Sequence, residues 1–177
     1  MNKINCAMVV MFVTCIALTP SLFSQPNVST SHLAMVATVR PEATDAAVRV
    51  LQDGGNAVDA AITAAYTLAV VDGYNSGIGG GCFILIRTPD GRLFAIDGRE
   101  AAPGAATPDM FLKDGKAIPG ASETGPLASG VPGAVAAYEM AWRVAGRKAW
   151  KDLLGDAIHY AANGFTIPEK YAERIRS

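Results

Sequence analysis

The sequence predicts an α+β fold in which a sheet is covered on both faces. Two strand-like runs, "CFILIR" and "RLFAID", flank Pro89-Asp90-Gly91, a combination typical of a tight turn, so they predict a β-hairpin. The first run is apolar on both of its faces, with Cys82, Ile84 and Ile86 on one face and Phe83 and Leu85 on the other. A strand that is apolar on both faces is expected inside a sandwich. The preceding alanine-rich run "AVDAAITAAYTLAVV" predicts a buried helix.

The N-terminus has the layout of a secretory signal peptide. A basic start at Lys3 precedes an apolar run from Cys6 to Leu18 and a polar exit. A membrane-spanning helix needs ~20 apolar residues, so this run is short for that role. We therefore expect residues 1–24 to be a signal peptide and residues 25–31 a polar tail, with a secreted or periplasmic product. An uncleaved segment would anchor the protein to the membrane.

The first elements after the tail are a short strand and two helices. Residues 32–38, "HLAMVAT", are predicted to form the strand. Pro41 suits the first position of the next helix, which Gly54–Gly55 end. Asn56 can cap the following helix, with Asp59 three residues later completing a variant of the capping box.

The second half of the chain begins with a long connection and ends in helices. Residues 98–130 are rich in Gly, Pro and Ala, and an irregular connection of this length is usually functional or part of a subunit interface. One helix is predicted to start at Pro132 and another to end at Gly164. A third begins behind Pro168, and because the chain stops inside it, we expect the chain to be incomplete.

Composition and charge exclude several functional classes. The 177 residues carry a formal net charge of −1 with no block of like charges, which argues against a nucleic-acid-binding surface. The spacing of histidines and cysteines fits no metal site, and no cofactor is predicted. After removal of the signal peptide only Cys82 would remain, so an internal disulfide is excluded. His159 lies mid-helix and is expected to be a packing or surface residue.

A cluster of glycines precedes the first predicted hairpin strand. Five of the nine residues from Gly73 to Gly81 are glycine. A phosphate-binding loop has its strand before the glycines and its helix after them, and here that order is reversed. The remaining interpretations are close approach of another backbone or of a substrate, and tight helix-to-strand packing with no ligand.

Arg99 is the strongest candidate for a binding residue. It follows the second predicted strand in "AIDGREAAP", where a loop leaves the sheet, and guanidinium groups bind carboxylates through two parallel hydrogen bonds. The alternative is a surface ion pair with Asp97 or Glu100.

Several uncommon motifs occur in one order along the chain: "GGNAVDAA", "GIGGGCF", "DGREAAP" and "GPLASGVPGAVAAYEMAW". From about His32 onwards the chain closely resembles the N-terminal part of the large subunit of γ-glutamyltranspeptidases, also called glutathione hydrolases. The resemblance implies an N-terminal-nucleophile hydrolase fold, a four-layer αββα sandwich of which only the N-terminal portion is present, over residues 32–177.

The resemblance also implies a function and a partner. Members are exported precursors that cleave themselves into two subunits, and the new N-terminal threonine of the small subunit attacks γ-glutamyl amides such as glutathione. The acyl group then passes to water, an amino acid or a peptide. Carried over to this sequence, Arg99 holds the α-carboxylate of the γ-glutamyl group, and Glu100 orients the loop or contacts the substrate amine. The glycine run is expected to lie against strands of the small subunit.

The family's Thr-Thr-His nucleophile motif does not occur in this sequence. No catalytic residue is therefore assigned, and the chain is expected to be an inactive fragment that needs the small subunit. Two alternatives remain open. One is a related acylase acting on a β-lactam side chain or a poly-γ-glutamate, and the other is a non-catalytic binding module.

Overall fold

The structure is a computed structural model that describes residues 28–176. The chain divides into two compact units, Met1–His32 and Leu33–Ser177. Of the first unit only residues 28–32 are described, and they form neither helix nor strand. The predicted signal peptide, residues 1–24, lies outside the described residues and stays a prediction. Within residues 28–176, no helix is long and apolar enough to cross a membrane.

The second unit alternates helices with two short hairpins. Its α-helices are α1 (Pro41–Gln52), α2 (Ala57–Val71), α3 (Ala134–Ala145), α4 (Gly155–Asn163) and α5 (Glu169–Arg176). Its strands are β1 (Cys82–Arg87), β2 (Leu93–Gly98), β3 (Leu112–Lys113) and β4 (Lys116–Ala117). Short 3-10 turns cover Pro126–Ala128 and Trp150–Leu154. The α+β class and the predicted order of the main helices and of the hairpin are confirmed.

Helix α2 is the centre of the core, as its composition predicts. It packs against α1, α3 and α4, and nine of its fifteen residues are buried. Alanines let these helices approach closely, while the aromatic rings of Tyr66, Tyr138, Trp142 and Trp150 meet edge to face around it. Leu153, fully buried in the 3-10 turn before α4, closes this cluster.

The β1–β2 hairpin lies on α3 through one face. The strands pair antiparallel, with Cys82 opposite Gly98 and Arg87 opposite Leu93. Ile86 and Ile96 are buried against the helices, and Ala137 and Ala141 of α3 belong to the same cluster. The sheet therefore places the end of β2 directly above the N-terminus of α3.

Two sequence expectations differ from the structure. Residues 32–38 form no strand, because a strand needs a hydrogen-bonded neighbour and none of the named strands pairs with this segment. The second face of β1 is not covered within residues 28–176: Phe83 and Leu85 are 69% and 82% exposed. The prediction that β1 is buried on both faces is therefore wrong for these residues, because the helices cover one face of the hairpin only.

The long connection is mostly irregular, as predicted, with the small β3–β4 hairpin inside it. It returns to the sheet at Val131, whose backbone forms an antiparallel bridge with Ala101. Helix α3 starts at Ala134, two residues later than the proline that was expected to begin it. This bridge holds both ends of the connection beside the end of β2.

Candidate functional site

Arg99 and Glu100 follow β2 immediately and are both exposed. The backbone N–H of Arg99 donates to Oδ1 of Asp97 at 2.9 Å, which fixes the turn at the strand end. The alternative of a surface ion pair is not realised, because the Arg99 guanidinium forms no salt bridge within residues 28–176. Its donors are available to a ligand.

A cavity of about 560 Å³ opens beside these two residues. Gly79, Arg99 and Glu100 form its polar side, and residues of the long connection form an apolar wall: Ala101, Ala102, Pro103, Ala106, Met110, Phe111 and Leu127. A second cavity, of about 360 Å³, is also lined by Glu100, together with Asn75, Ser76 and Tyr138 among others. Glu100 therefore lines both cavities, while Arg99 lines the first.

Part of the glycine cluster lies close to another segment of backbone, and that segment belongs to the same chain. A Cβ on Gly81 would lie 2.7 Å from the carbonyl oxygen of Gly98 and 2.8 Å from Oε2 of Glu100. A Cβ on Gly133, at the start of α3, would lie 2.4 Å from that same Gly98 oxygen. The carbonyl of Gly80 accepts from the N–H groups of Gly133 and Ala134, both at 3.1 Å.

The expectation that the glycine run lies against small-subunit strands stays a prediction, and the structure gives part of the run a role within this chain. Gly81 is crowded by the end of β2 and by the Glu100 side chain, so a larger residue does not fit there. Gly80 contributes its carbonyl to the N-terminus of α3, and a Cβ at this position would lie at an ordinary distance of 3.4 Å from Oε1 of Glu100. Tight helix-to-strand packing within one chain is the interpretation that the structure supports for them. Gly79 has open space around its Cβ position and is not explained by packing within residues 28–176.

We expect Gly81→Ala to destabilise the chain by about 2–3 kcal/mol, because the new methyl group must displace backbone atoms at the end of β2. Gly79→Ala is the matched control. No atom lies within 4 Å of its Cβ position and its φ is not positive, so it should change the free energy of unfolding by less than about 0.5 kcal/mol. Urea unfolding of both variants measures the difference, and equal stabilities would contradict the crowding at Gly81.

Cys82 is placed beside this junction but is poorly suited to nucleophilic chemistry. Burial raises the pKa of its thiol, and the negative charge of Glu100 raises that pKa further. A thiol of raised pKa has little thiolate at neutral pH, and the thiolate is the reactive form. Its partial burial and raised pKa therefore favour an inert, packed role for Cys82.

A buried carboxylate organises the opposite side of α2. Asp59 is fully buried and accepts hydrogen bonds from the backbone N–H groups of Asn56, Arg147 and Lys148, at 2.9 to 3.2 Å. The sequence predicted only the capping interaction between Asn56 and Asp59, which the structure confirms. The contacts with Arg147 and Lys148 cross almost ninety positions along the chain, and no local pattern indicates them.

Within residues 28–176, no group of three or more histidine, cysteine, aspartate or glutamate side chains could hold a metal ion. The ring of His159 is exposed on α4, where Nδ1 contacts Nδ2 of Asn163 at 3.1 Å. The described residues thus bring together an exposed arginine, an acidic neighbour and an apolar wall around one cavity.

Comparison with known proteins identifies the context of this arrangement. The profile of the family described as Gamma-glutamyltranspeptidase matches residues 43–177. The glutathione hydrolase proenzyme of Pseudomonas sp. (strain A14) is 47% identical over 136 residues, and that of Escherichia coli (strain K12) is 42% identical over 144 residues. These alignments cover 76% and 81% of this chain but only 24% and 25% of the relatives.

The fold agrees with the sequence comparison. The γ-glutamyltranspeptidase of Helicobacter pylori superposes with a TM-score of 0.80 at 39% identity, covering 84% of this chain and 43% of that one. This chain has part of the N-terminal-nucleophile hydrolase fold of these enzymes, and it spans about a quarter of the length of the curated relatives it matches. On the profile match, the identities and the fold, the chain belongs to the γ-glutamyltranspeptidase family.

Proposed function

We propose that this chain is the N-terminal part of an exported glutathione hydrolase proenzyme that cleaves γ-glutamyl amides and transfers the acyl group to water or to an amine. The observation that carries the proposal is the Arg99 guanidinium, which lines a cavity and has no ion-pair partner within residues 28–176. The relatives are named glutathione hydrolase proenzymes, which supports a precursor that is processed into subunits.

In this proposal the chain binds the substrate, and a second subunit supplies the nucleophile that attacks it. Arg99 holds the α-carboxylate of the γ-glutamyl group through two hydrogen bonds, and Glu100 faces its α-ammonium group. A threonine hydroxyl of the small subunit attacks the γ-carbonyl carbon, and the amine leaves with the proton taken from that hydroxyl. Water or an acceptor amine then attacks the ester that has formed. Holding both charges of the substrate fixes the position of the γ-carbonyl.

The test is a chimera, in which the matched N-terminal segment of the Pseudomonas sp. proenzyme is replaced by residues 33–177 of this chain. We expect the chimera to be processed into two subunits and to hydrolyse glutathione and a γ-glutamyl anilide. The Pseudomonas sequence without any N-terminal segment serves as the control and should be inactive.

A processed chimera that left γ-glutamyl substrates intact would overturn the proposal. If that chimera instead cleaved the side-chain amide of a cephalosporin, the acylase alternative would replace it. Export is tested separately, by N-terminal sequencing of the product secreted from a host that expresses the chain with residues 1–32 attached.

A further inference from the structure

Neither packing nor backbone conformation accounts for the glycine at position 79. No atom lies within 4 Å of the place where its Cβ would stand, so a side chain there would meet open space. The φ of Gly79 is not positive, so it is one that other residues also adopt. Glycine loses more conformational freedom on folding than any other residue, and an ordered glycine without such a reason lowers stability. Residues 28–176 contain no atom that requires glycine at this position.

Gly79 lies in the wall of the cavity of about 560 Å³ that Arg99 also lines. It is exposed, and neither its N–H nor its C=O group forms a hydrogen bond within the described part of the chain. Small-molecule sites are cavities of about 300–1,000 Å³ that combine an apolar lining with a few polar groups, and this cavity has that character. The guanidinium of Arg99 and the backbone of Gly79 are thus unpaired polar groups at one cavity.

The chain is held in place on both sides of residues 77–79. Before them, the carbonyl oxygen of Asp72 accepts from the N–H group of Ser76 at 2.9 Å, and Asp72 itself is buried. After them, the carbonyl oxygen of Gly80 accepts from the two N–H groups at the start of α3, both at 3.1 Å. Since so short a span joins two anchored points, Gly79 has a defined position in the cavity wall.

We propose that Gly79 determines substrate specificity: its bare backbone contacts the γ-glutamyl group that Arg99 holds, in space that any side chain would fill. The inference rests on the proposed function and adds a residue to its binding site. Close approach of a substrate was one of the explanations that the sequence left open for the glycine cluster. Packing within the chain explains Gly81 but leaves Gly79 open, and glycine is the residue that lets a ligand lie directly against backbone.

Gly77 is the matched control, because it differs from Gly79 mainly in the cavity that it lines. Its φ is not positive, and the nearest atom to its Cβ position is the backbone nitrogen of Gly79, at an ordinary distance of 3.9 Å. It lines the second cavity and not the one beside Arg99. Alanine at either position would stiffen the segment, whereas only alanine at position 79 would obstruct a substrate bound to Arg99.

Steady-state kinetics of the chimera with γ-glutamyl anilide test the inference. We expect Gly79→Ala to raise KM at least about tenfold while kcat changes less than about twofold, because the methyl group obstructs the substrate equally in the ground state and in the transition state. Gly79→Val, with its larger side chain, should raise KM further. Gly77→Ala should leave both constants at the values of the parent chimera. The thermal midpoints of all these chimeras should agree, which separates obstruction of the substrate from loss of structure.

An active Gly79→Ala chimera with the kinetics of the parent would overturn the inference and leave the proposed function intact. Equal losses from Gly79→Ala and Gly77→Ala would also overturn it, because the glycines would then serve the mobility of the segment.

Calorimetric titration with L-glutamate, which carries the same α-carboxylate and α-ammonium groups, gives a second measurement that needs no turnover. If the chimera bound L-glutamate without hydrolysing γ-glutamyl anilide, and Gly79→Ala weakened that binding at least about tenfold, the inference would stand while the proposed function failed. A processed chimera that neither bound L-glutamate nor hydrolysed the anilide would overturn both.

Discussion

Replacing Asp59 by asparagine is expected to lower the free energy of unfolding by about 2–4 kcal/mol. The carboxylate is fully buried and accepts from three backbone N–H groups, those of Asn56, Arg147 and Lys148. Asparagine keeps one acceptor oxygen but places an NH₂ group where the other oxygen stood, so at least one buried donor faces another donor. Leaving a buried polar group unsatisfied costs about 1–3 kcal/mol, and more when the lost partner is charged.

Urea unfolding of the 177-residue chain, followed by tryptophan fluorescence, measures this loss. The indole N–H of Trp142 donates to the carbonyl of Lys148 at 2.8 Å, so the fluorescence reports on the loop that Asp59 holds. Asp45→Asn is the matched control, because Asp45 is an exposed aspartate in the neighbouring helix and should change stability by less than about 0.5 kcal/mol. Equal midpoints for the two variants would show that the hydrogen bonds to Asp59 contribute nothing net.

The features predicted correctly from the sequence are those that depend on interactions between residues close together in the chain. The capping residues at Asn56 and Asp59, the glycines that end α1 and the turn of the β1–β2 hairpin all act within a few residues, and the structure has each of them. The hydrogen bonds from the N–H groups of Arg147 and Lys148 to Asp59 could not be predicted. These donors are brought to Asp59 only by the packing of α3 and the following turn on α2.

The candidate site likewise has one part that could be predicted from the sequence and one part that could not. Arg99 could be predicted because it directly follows a strand, and strand ends are where loops present binding groups. Glu100 was assigned only through the resemblance to the family. The apolar wall of the site could not be predicted, because Phe111 and Leu127 lie in an irregular connection that no local pattern places beside Arg99. The strand expected at residues 32–38 was wrong, because an apolar run forms a strand only beside a pairing partner and no described strand pairs with this segment.

Arg99→Ala is expected to reduce kcat/KM of the chimera for γ-glutamyl anilide by about 100-fold, mainly through a higher KM. The contact with the α-carboxylate exists in both the bound substrate and the transition state, and loss of such a uniform contact weakens binding more than it slows chemistry. Removing one partner of a hydrogen-bonded charge pair costs about 2–5 kcal/mol, which corresponds to a factor of at least about 30. Arg99→Lys should lose less, since lysine keeps the charge but not the two-pronged geometry.

The control is Arg92→Ala, at the turn end of the same strand, where the guanidinium is exposed and pairs with Asp90; its kinetics should equal those of the parent chimera. A substrate change isolates the contact further. An anilide of the same acyl chain without the α-carboxylate has nothing for Arg99 to bind, so the parent and Arg99→Ala should hydrolyse it at equal, low rates. If Arg99→Ala slowed both substrates by the same factor, the arginine would be supporting the structure of the loop, because only a direct contact makes the loss depend on the substrate's own carboxylate.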